Sequence, residues 1–473
     1  MPSSAFDPPA ASCPRRDFLG RLGAAALALP AALAAEAASP AARLTPPRFP
    51  QRDFAITSYG ARPDGRDCTH AIARAIAACH AAGGGRVLVP GGIFHTGKIH
   101  LRSGVNLHLE ADATLRFSTD HRAYLPLVRT RWEGIECFNY SPLIYAYRQH
   151  DIAVTGAGTL DGQASDGHWW VLKGRRGFGW RPGQPQQQPA RARLHEYGRL
   201  QTPLAQRRFG PGAHLRPAFV QPFDCRNVLI EGVRIIRSPM YEIHPVFCRN
   251  LLVRGVRIHS LGPNNDGCDP DSCSHVLIEN CSFTTGDDCI SIKSGRDRDG
   301  RRIGIPCEHV LIRNCVMHAG HGGVAIGSEM SGGVRDVRIE NCRMPGTAGG
   351  FGLDYALRIK SNPHRGGTVS RVIFENIRAG RLTHAALELT LHYGHQAVQG
   401  RHWPHIEDVT IRNFLCRQAR MGLHFEGLPG DPITDLTLEN CRILRTGEPD
   451  LVRYLKNVRV RGIEVNGRKI AHL

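Results

Sequence analysis

The chain has 473 residues, 41% of them apolar and 22% charged, a composition that fits a globular protein and not a disordered one. Sixty Lys and Arg against 42 Asp and Glu leave a net charge of +18, which favours an anionic partner. Nucleic acid fits that charge but not the motifs, because the sequence has no Lys/Arg-rich helix, zinc-ligand spacing or aromatic nucleic-acid motif.

Residues 1–35 read as an export leader. Pro14-Arg15-Arg16-Asp17-Phe18-Leu19 opens onto an Ala/Leu run from Gly20 to Ala35 that contains Pro30 and ends in Ala32-Leu33-Ala34, which resembles a twin-arginine signal. Cleavage near Ala34 would deliver the mature chain to the periplasm or the medium and leave residues 36–50 as a flexible Ala/Pro linker. Beyond the leader no apolar run is long enough to span a membrane. Residues 51–473 then form one long domain. It begins near Phe54, and Thr69 to Ala82 follows with Ile72, Ala75, Ile76 and Cys79 at helical spacing, which predicts a cap helix over an open end of the fold. Gly83-Gly84-Gly85 stops that helix and is not a phosphate loop, since no Gly-Lys-Ser/Thr follows. Strand-like segments begin at Arg86 and Val105.

Residues 162–217 interrupt the rhythm. They hold Trp169, Trp170, Trp180, Gln184, Gln186, Gln187, Gln188 and many arginines, a stretch too polar and Gly/Pro-rich to be core. An insertion of this kind at the side of a repeat is a candidate substrate wall, and Trp132 with Trp169-Trp170 are candidates for stacking on sugar faces.

The second half of the chain is a repeat. Polar residues followed by alternating aliphatics start at Asn227, Asn250, His275, His309, Asp336, Arg371, Asp408, Asp435 and Asn457, at intervals of 22 to 37 residues. A short fixed motif with occasional extra loops is the pattern of a stacked solenoid, and period-2 alternation makes its elements short strands. The sixth motif position is Asn280, Asn314, Asn341, Asn376, Asn413 and Asn440 in six successive coils, as a repeated left-handed bend requires. Cysteines keep the same register: Cys225, Cys248, Cys273 and Cys307 precede motif starts by two residues, and Cys281, Cys315, Cys342 and Cys441 take the seventh position. Stacked buried thiols account for this without chemistry, a disulfide network being the alternative.

Three polar clusters interrupt the coils. They are Asn264-Asn265-Asp266-Gly267-Cys268-Asp269, Gly286-Asp287-Asp288-Cys289 and Gly320-His321-Gly322-Gly323. Asp266 and Asp287 are one coil apart by count, so a strand spacing of roughly 5 Å should bring them to one face, with Asp288 extending the cluster and His321 on the next coil. Close carboxylates without a Cys or His ligand set suit general acid/base chemistry, because like charges held together retain a proton on at least one of them. The Asp-Asp pair does not by itself rule out calcium. Arg358-Ile359-Lys360 places two cations on one side of a strand, as binding a uronic acid carboxylate would need.

In order and approximate spacing, Asn264-Asn265-Asp266, Gly286-Asp287-Asp288, Gly320-His321-Gly322 and Arg358-Ile359-Lys360 closely resemble the polygalacturonases of glycoside hydrolase family 28. The likeness runs from about Phe54 to the C-terminus. It departs only at Asn265, where the family usually has threonine. The resemblance implies an all-β fold, a single-stranded right-handed parallel β-helix with a short N-terminal cap helix. It also implies inverting hydrolysis of α-1,4-galacturonosidic bonds in an anionic pectic polysaccharide or oligogalacturonide, with no cofactor and no metal. Residue by residue, Asp287 corresponds to the general acid, Asp266 and Asp288 to the bases that activate water, and His321 to the group supporting the acid. Arg358 and Lys360 correspond to the uronate clamp, while Asn264 and Tyr393 correspond to substrate contacts. Gly327–Asp336, Lys293-Ser294-Gly295, Asn362–Gly367 and the run Asn265–Cys273 are similar to the bacterial exo-acting subgroup, and an insertion closing one end of the cleft would have the same consequence. Endo action, rhamnogalacturonan hydrolysis, a calcium-dependent lyase and a non-catalytic polysaccharide-binding β-helix are the alternatives. The complete Arg358/Lys360 pair argues against rhamnose, and the acid/base cluster beside His321 against the last two.

Overall fold

A computed structural model describes residues 44–346, 351–394 and 400–473. The expected leader, residues 1–35, lies outside the described residues, as does most of the expected linker. Within that linker span, Leu44 and Phe49 pack on an outward-facing apolar column of Ala153, Leu229, Leu252, Leu277 and Leu311. Among the described residues no helix is long and apolar enough to cross a membrane.

The repeat folds as a right-handed parallel β-helix with three faces. On the first, Arg226–Glu231, Arg249–Arg254, Ser274–Glu279, Cys307–Arg313 and Val334–Glu340 pair in parallel and in register, so that Val228, Leu251, Val276, Val310 and Val337 form one column. Those five side chains are at most 2% exposed. Burying each stabilises the stack by about 1.5–3 kcal/mol, and this apolar interior holds the coils together. The second face carries Arg234–Ile236, Arg257–Ser260 and Ser282–Thr285. The third face carries Ile290–Ile292, the end of Val316–Gly327, Leu353–Lys360, Ala385–Thr390 and Met421–Glu426.

The bends expected at the asparagines are present. Asn280, Asn314, Asn341, Asn376, Asn413 and Asn440 all have φ between 51° and 56°, in the left-handed region that asparagine tolerates. The motif starts form a second left-handed column, from Asn227 (φ 55°) to Asn457 (φ 55°). Coil-to-coil amide bonds tie these columns together: Asn250 Nδ2 donates to Asn227 Oδ1 at 2.9 Å, and Asn413 Nδ2 to Asn376 Oδ1 at 3.0 Å. Every cysteine in the described residues is buried and unpaired, consistent with stacked thiols and not with a disulfide network.

Helix α1, Thr69–Ala81, caps the N-terminal end with Ile72, Ala75, Ile76 and Cys79 turned into the core. Its chain leaves through Gly84 (φ +103°), where a Cβ would lie 2.6 Å from the Gly104 carbonyl. An antiparallel hairpin of Ile463–Val465 and Arg468–Ile470 ends the stack.

The insertion departs from its sequence reading. It contains helix α2, Gln188–Leu200, whose Ala190, Leu194 and Gly198 share one face and pack toward a separate small core with Trp132, Ile135, Cys137 and Phe209. Isolated apolar residues four apart in an otherwise polar stretch suffice because a preformed surface meets them. Nor are the tryptophans sugar platforms. Trp132 is 3% exposed and donates to the Arg216 carbonyl. Trp169 is buried, stacked at 4.1 Å on His121, and Trp170 donates to the Ser238 carbonyl at 2.8 Å. All three are anchors.

Replacing Asn250 by valine forces a branched side chain into a left-handed position and removes a ladder bond. We expect a loss of about 2 kcal/mol. Asn250→Gly, which keeps the backbone freedom, should lose less, and thermal melting of the two variants distinguishes these outcomes.

Candidate active site

Asp266, Asp287 and His321 occupy one corner of three successive coils. Backbone bonds hold them in register: Gly267 N–H donates to the Asp288 carbonyl at 2.9 Å, Cys289 N–H to Gly322 at 2.8 Å, and His321 N–H to Asp287 at 3.0 Å. The flanking glycines permit this close approach. A Cβ on Gly320 (φ +153°) would meet the Asp287 carbonyl at 2.5 Å, and one on Gly322 would lie 2.9 Å from Asp288 Oδ1. One carboxylate oxygen from each of Asp266, Asp287 and Asp288 lies within 4.8 Å of the others. Asp287, with 17% of its side chain exposed against 4% for Asp266 and 1% for Asp288, is the member that meets the cleft.

Cations compensate the cluster. Lys360 Nζ is 2.7 Å from Asp288 Oδ2, and His321 Nδ1 is 3.0 Å from Asp287 Oδ1. Arg358 is held by Glu388 and sits 4.4 Å over the Tyr355 ring. Tyr393 lies 5.3 Å from both Arg358 and Lys360, so all the residues expected for uronate binding on this side converge. Asn264 reaches Asp287 with Nδ2 at 3.5 Å, while its Oδ1 accepts from Arg216 at 2.8 Å. Asn265 is floor rather than contact: its Oδ1 accepts from Ser260 and Gly262, and its Nδ2 donates to the carbonyls of Ser238 and Met240.

Sequence reasoning missed a buried ionic chain behind the cluster. Lys293 Nζ lies 3.2 Å from Asp266 and 3.4 Å from Asp269, and reaches Glu329 at 4.0 Å. Glu329 binds Arg296 at 2.9 Å, which lies 3.5 Å from Glu133, and Glu133 binds Arg191 of α2 at 2.7 Å. Lys293 and Glu329 fall within the segments read only as subgroup resemblance. Their partners are distant in sequence, so no local pattern pointed to the pairing.

Residues 209–461 match the family model described as glycosyl hydrolases family 28. A solved structure, the hyperthermoactive exopolygalacturonase of Thermotoga maritima, superimposes with a TM-score of 0.85 at 42% identity, over 89% of this chain and 94% of that one. The chain belongs to glycoside hydrolase family 28. Among curated relatives of this family 28 hydrolase, a probable polygalacturonase of Vitis vinifera is 29% identical over 76% of this chain and 67% of its own length. The exo-poly-alpha-D-galacturonosidase of Dickeya chrysanthemi is 26% identical over 72% of this chain, which spans 57% of that relative.

Electrostatics divides the three carboxylates of the family 28 hydrolase. Burial, then the charges of Asp287 and Asp288, push Asp266 up to about 7 against the opposing pull of Lys293. Burial alone would also raise Asp287, but its hydrogen bond and charge interaction with His321, helped by Lys360 and Lys293, hold it well below the usual carboxylate range. The same hydrogen bond raises His321 to about 9. At neutral pH the free site therefore holds an Asp287 carboxylate against a His321 imidazolium, while burial favours the protonated forms of Asp266 and of Asp269, which sits against the same Lys293.

With Asp266 raised to about 7, its proton is present below this value and lost above it. If it is the catalytic proton, kcat/KM should fall about tenfold per unit as pH rises beyond 7. A flat profile from pH 7 to 9 would contradict this.

Proposed function

We propose that the chain hydrolyses α-1,4-galacturonosidic bonds of polygalacturonate or its oligomers, with inversion and from a chain end. The observation that carries this reading is one cavity of about 280 Å³ whose lining combines Asp266, Asp287 and Asp288 with Lys360 and Tyr393 and with Lys173, Arg175 and Arg191 of the insertion. A larger basic groove, sharing Arg191, Arg296, Arg365 and Tyr393 with the cavity, offers a path for the remainder of the polymer. The 42% identical Thermotoga relative, named as an exopolygalacturonase, supports end-wise action.

In this reading Asp287, the accessible carboxyl, protonates the leaving oxygen. Asp266 and Asp288, which line the same cavity, activate the attacking water. A uronate settling on Lys360 and Arg358 draws positive charge away from the cluster and adds negative charge to it. Both effects raise Asp287 and favour proton transfer to it from His321 Nδ1 or from Asp266. The carboxylates are closer than the roughly 6.5–9.5 Å usual between inverting pairs, so inversion rests on family membership rather than on this spacing.

A short time course of products from polygalacturonic acid, run beside viscosity, tests the reading. Galacturonate or its dimer should appear at once with viscosity almost unchanged. Mixed oligomers with an early viscosity drop would establish endo action, and no release from polygalacturonate would move rhamnogalacturonan to the front.

A further inference from the structure

Seven Lys and Arg side chains line the catalytic cavity: Lys173, Arg175, Arg191, Lys293, Arg296, Lys360 and Arg365. Five are paired with carboxylates, namely Arg191 with Glu133, Lys293 with Asp266, Arg296 with Glu329, Lys360 with Asp288 and Arg365 with Asp297. Lys173 and Arg175 have no carboxylate within ion-pair distance among the described residues. For exposed Arg175 that is ordinary. For Lys173 it is not, because the residue is only 9% exposed and its ammonium meets a neutral acceptor, Asn264 Oδ1, at 2.5 Å. That same oxygen also accepts from Arg216, which is fully buried and satisfied otherwise by Gln187 and two backbone carbonyls. A buried ammonium without a counter-ion is costly unless an anion arrives to complete it.

The position of Lys173 is built, not accidental. It ends the single turn Trp170–Lys173, and the turn is fastened from both ring positions. Trp169 is sunk beside His121 and Trp170 is bonded to Ser238, close enough that a Cβ on Gly262 would fall 2.2 Å from its Nε1. Gly174 (φ +75°) then turns the chain so that Arg175 reaches the same cavity. Burial and the neighbouring Arg216 lower the Lys173 ammonium to about 8, with Glu133 and Asp287 only partly opposing them, as expected for a cation still lacking its partner.

We infer that Lys173, assisted by Arg175, forms a carboxylate-binding subsite for a second uronate, across the catalytic carboxylates from Arg358 and Lys360. This deepens the galacturonan reading and rests on it. The scissile bond would then lie between two sugars whose carboxylates are each read by a separate cation set. With end-wise action the terminal sugar is one of these two.

The test compares trigalacturonate with two analogues, each carrying a methyl ester on one terminal residue. The wild-type enzyme should lose at least thirtyfold in kcat/KM on one of the two. K173Q and R175Q should lose activity on trigalacturonate, mainly through KM, and show little further loss on that same analogue; K173R should restore the discrimination. R175Q, which leaves the Asn264 contact intact, keeps the test available if K173Q does not fold. Variants that discriminate against the ester as strongly as the wild type would overturn the subsite, as would a wild type indifferent to both esters. A wild type unable to hydrolyse either trigalacturonate or polygalacturonate would instead overturn the galacturonan reading itself.

Discussion

Three carboxylates held within 4.8 Å of one another cannot all be ionised cheaply, and much of the catalytic corner serves that constraint. Lys293 and Lys360 stand against two of them and His321 against the third. Had the protein needed only to neutralise the charge, these partners would suffice. They are arranged unevenly instead, so that Asp266 is pushed up while Asp287 is pulled down. In the free site that inequality keeps the proton off Asp287, so the proposed acid role requires a bound uronate to reverse it.

The fold supplies the crowding. Parallel coils stack at about 4.8 Å, so a residue at one corner has its counterpart in the next coil at nearly carboxylate contact distance. In a helix bundle such a cluster would need several elements to converge, whereas here it needs only the same position in consecutive turns. The cost is steric, and Gly320 and Gly322 meet it where any side chain would collide with the aspartates. Behind the corner, the chain from Lys293 through Glu329, Arg296 and Glu133 to Arg191 ties the insertion to Asp266. The insertion and Asp266 are thus parts of one electrostatic unit.

What was legible in the sequence was what repeats. The asparagine column, the cysteine register and the cap helix around Ile72, Ala75, Ile76 and Cys79 follow from spacing alone, as does the meeting of Asp266 with Asp287. Arg358 and Lys360 share a side because strands alternate. The insertion was not legible in the same way. Helix α2 owes its stability to a surface formed by Trp132, Ile135 and Phe209, and a hydrophobic pattern of only Ala190, Leu194 and Gly198 gives little sign of it. Trp169 and Trp170 suggested sugar platforms because aromatic residues in a polar loop look unpartnered until their burial is seen. Pairings such as Glu133 with Arg191 join residues that no local motif connects, and the ionised state of Asp287 depends on His321, Lys360 and Lys293 together.

The central claim is that Asp287 delivers the proton on which the crowded corner turns. Asp287→Asn retains shape and removes the exchangeable acid, so kcat on trigalacturonate should fall by about 10²–10⁴ while the dissociation constant for the same ligand, measured by calorimetry, changes little. A variant that keeps most of its turnover would contradict the account and transfer the acid role to Asp266.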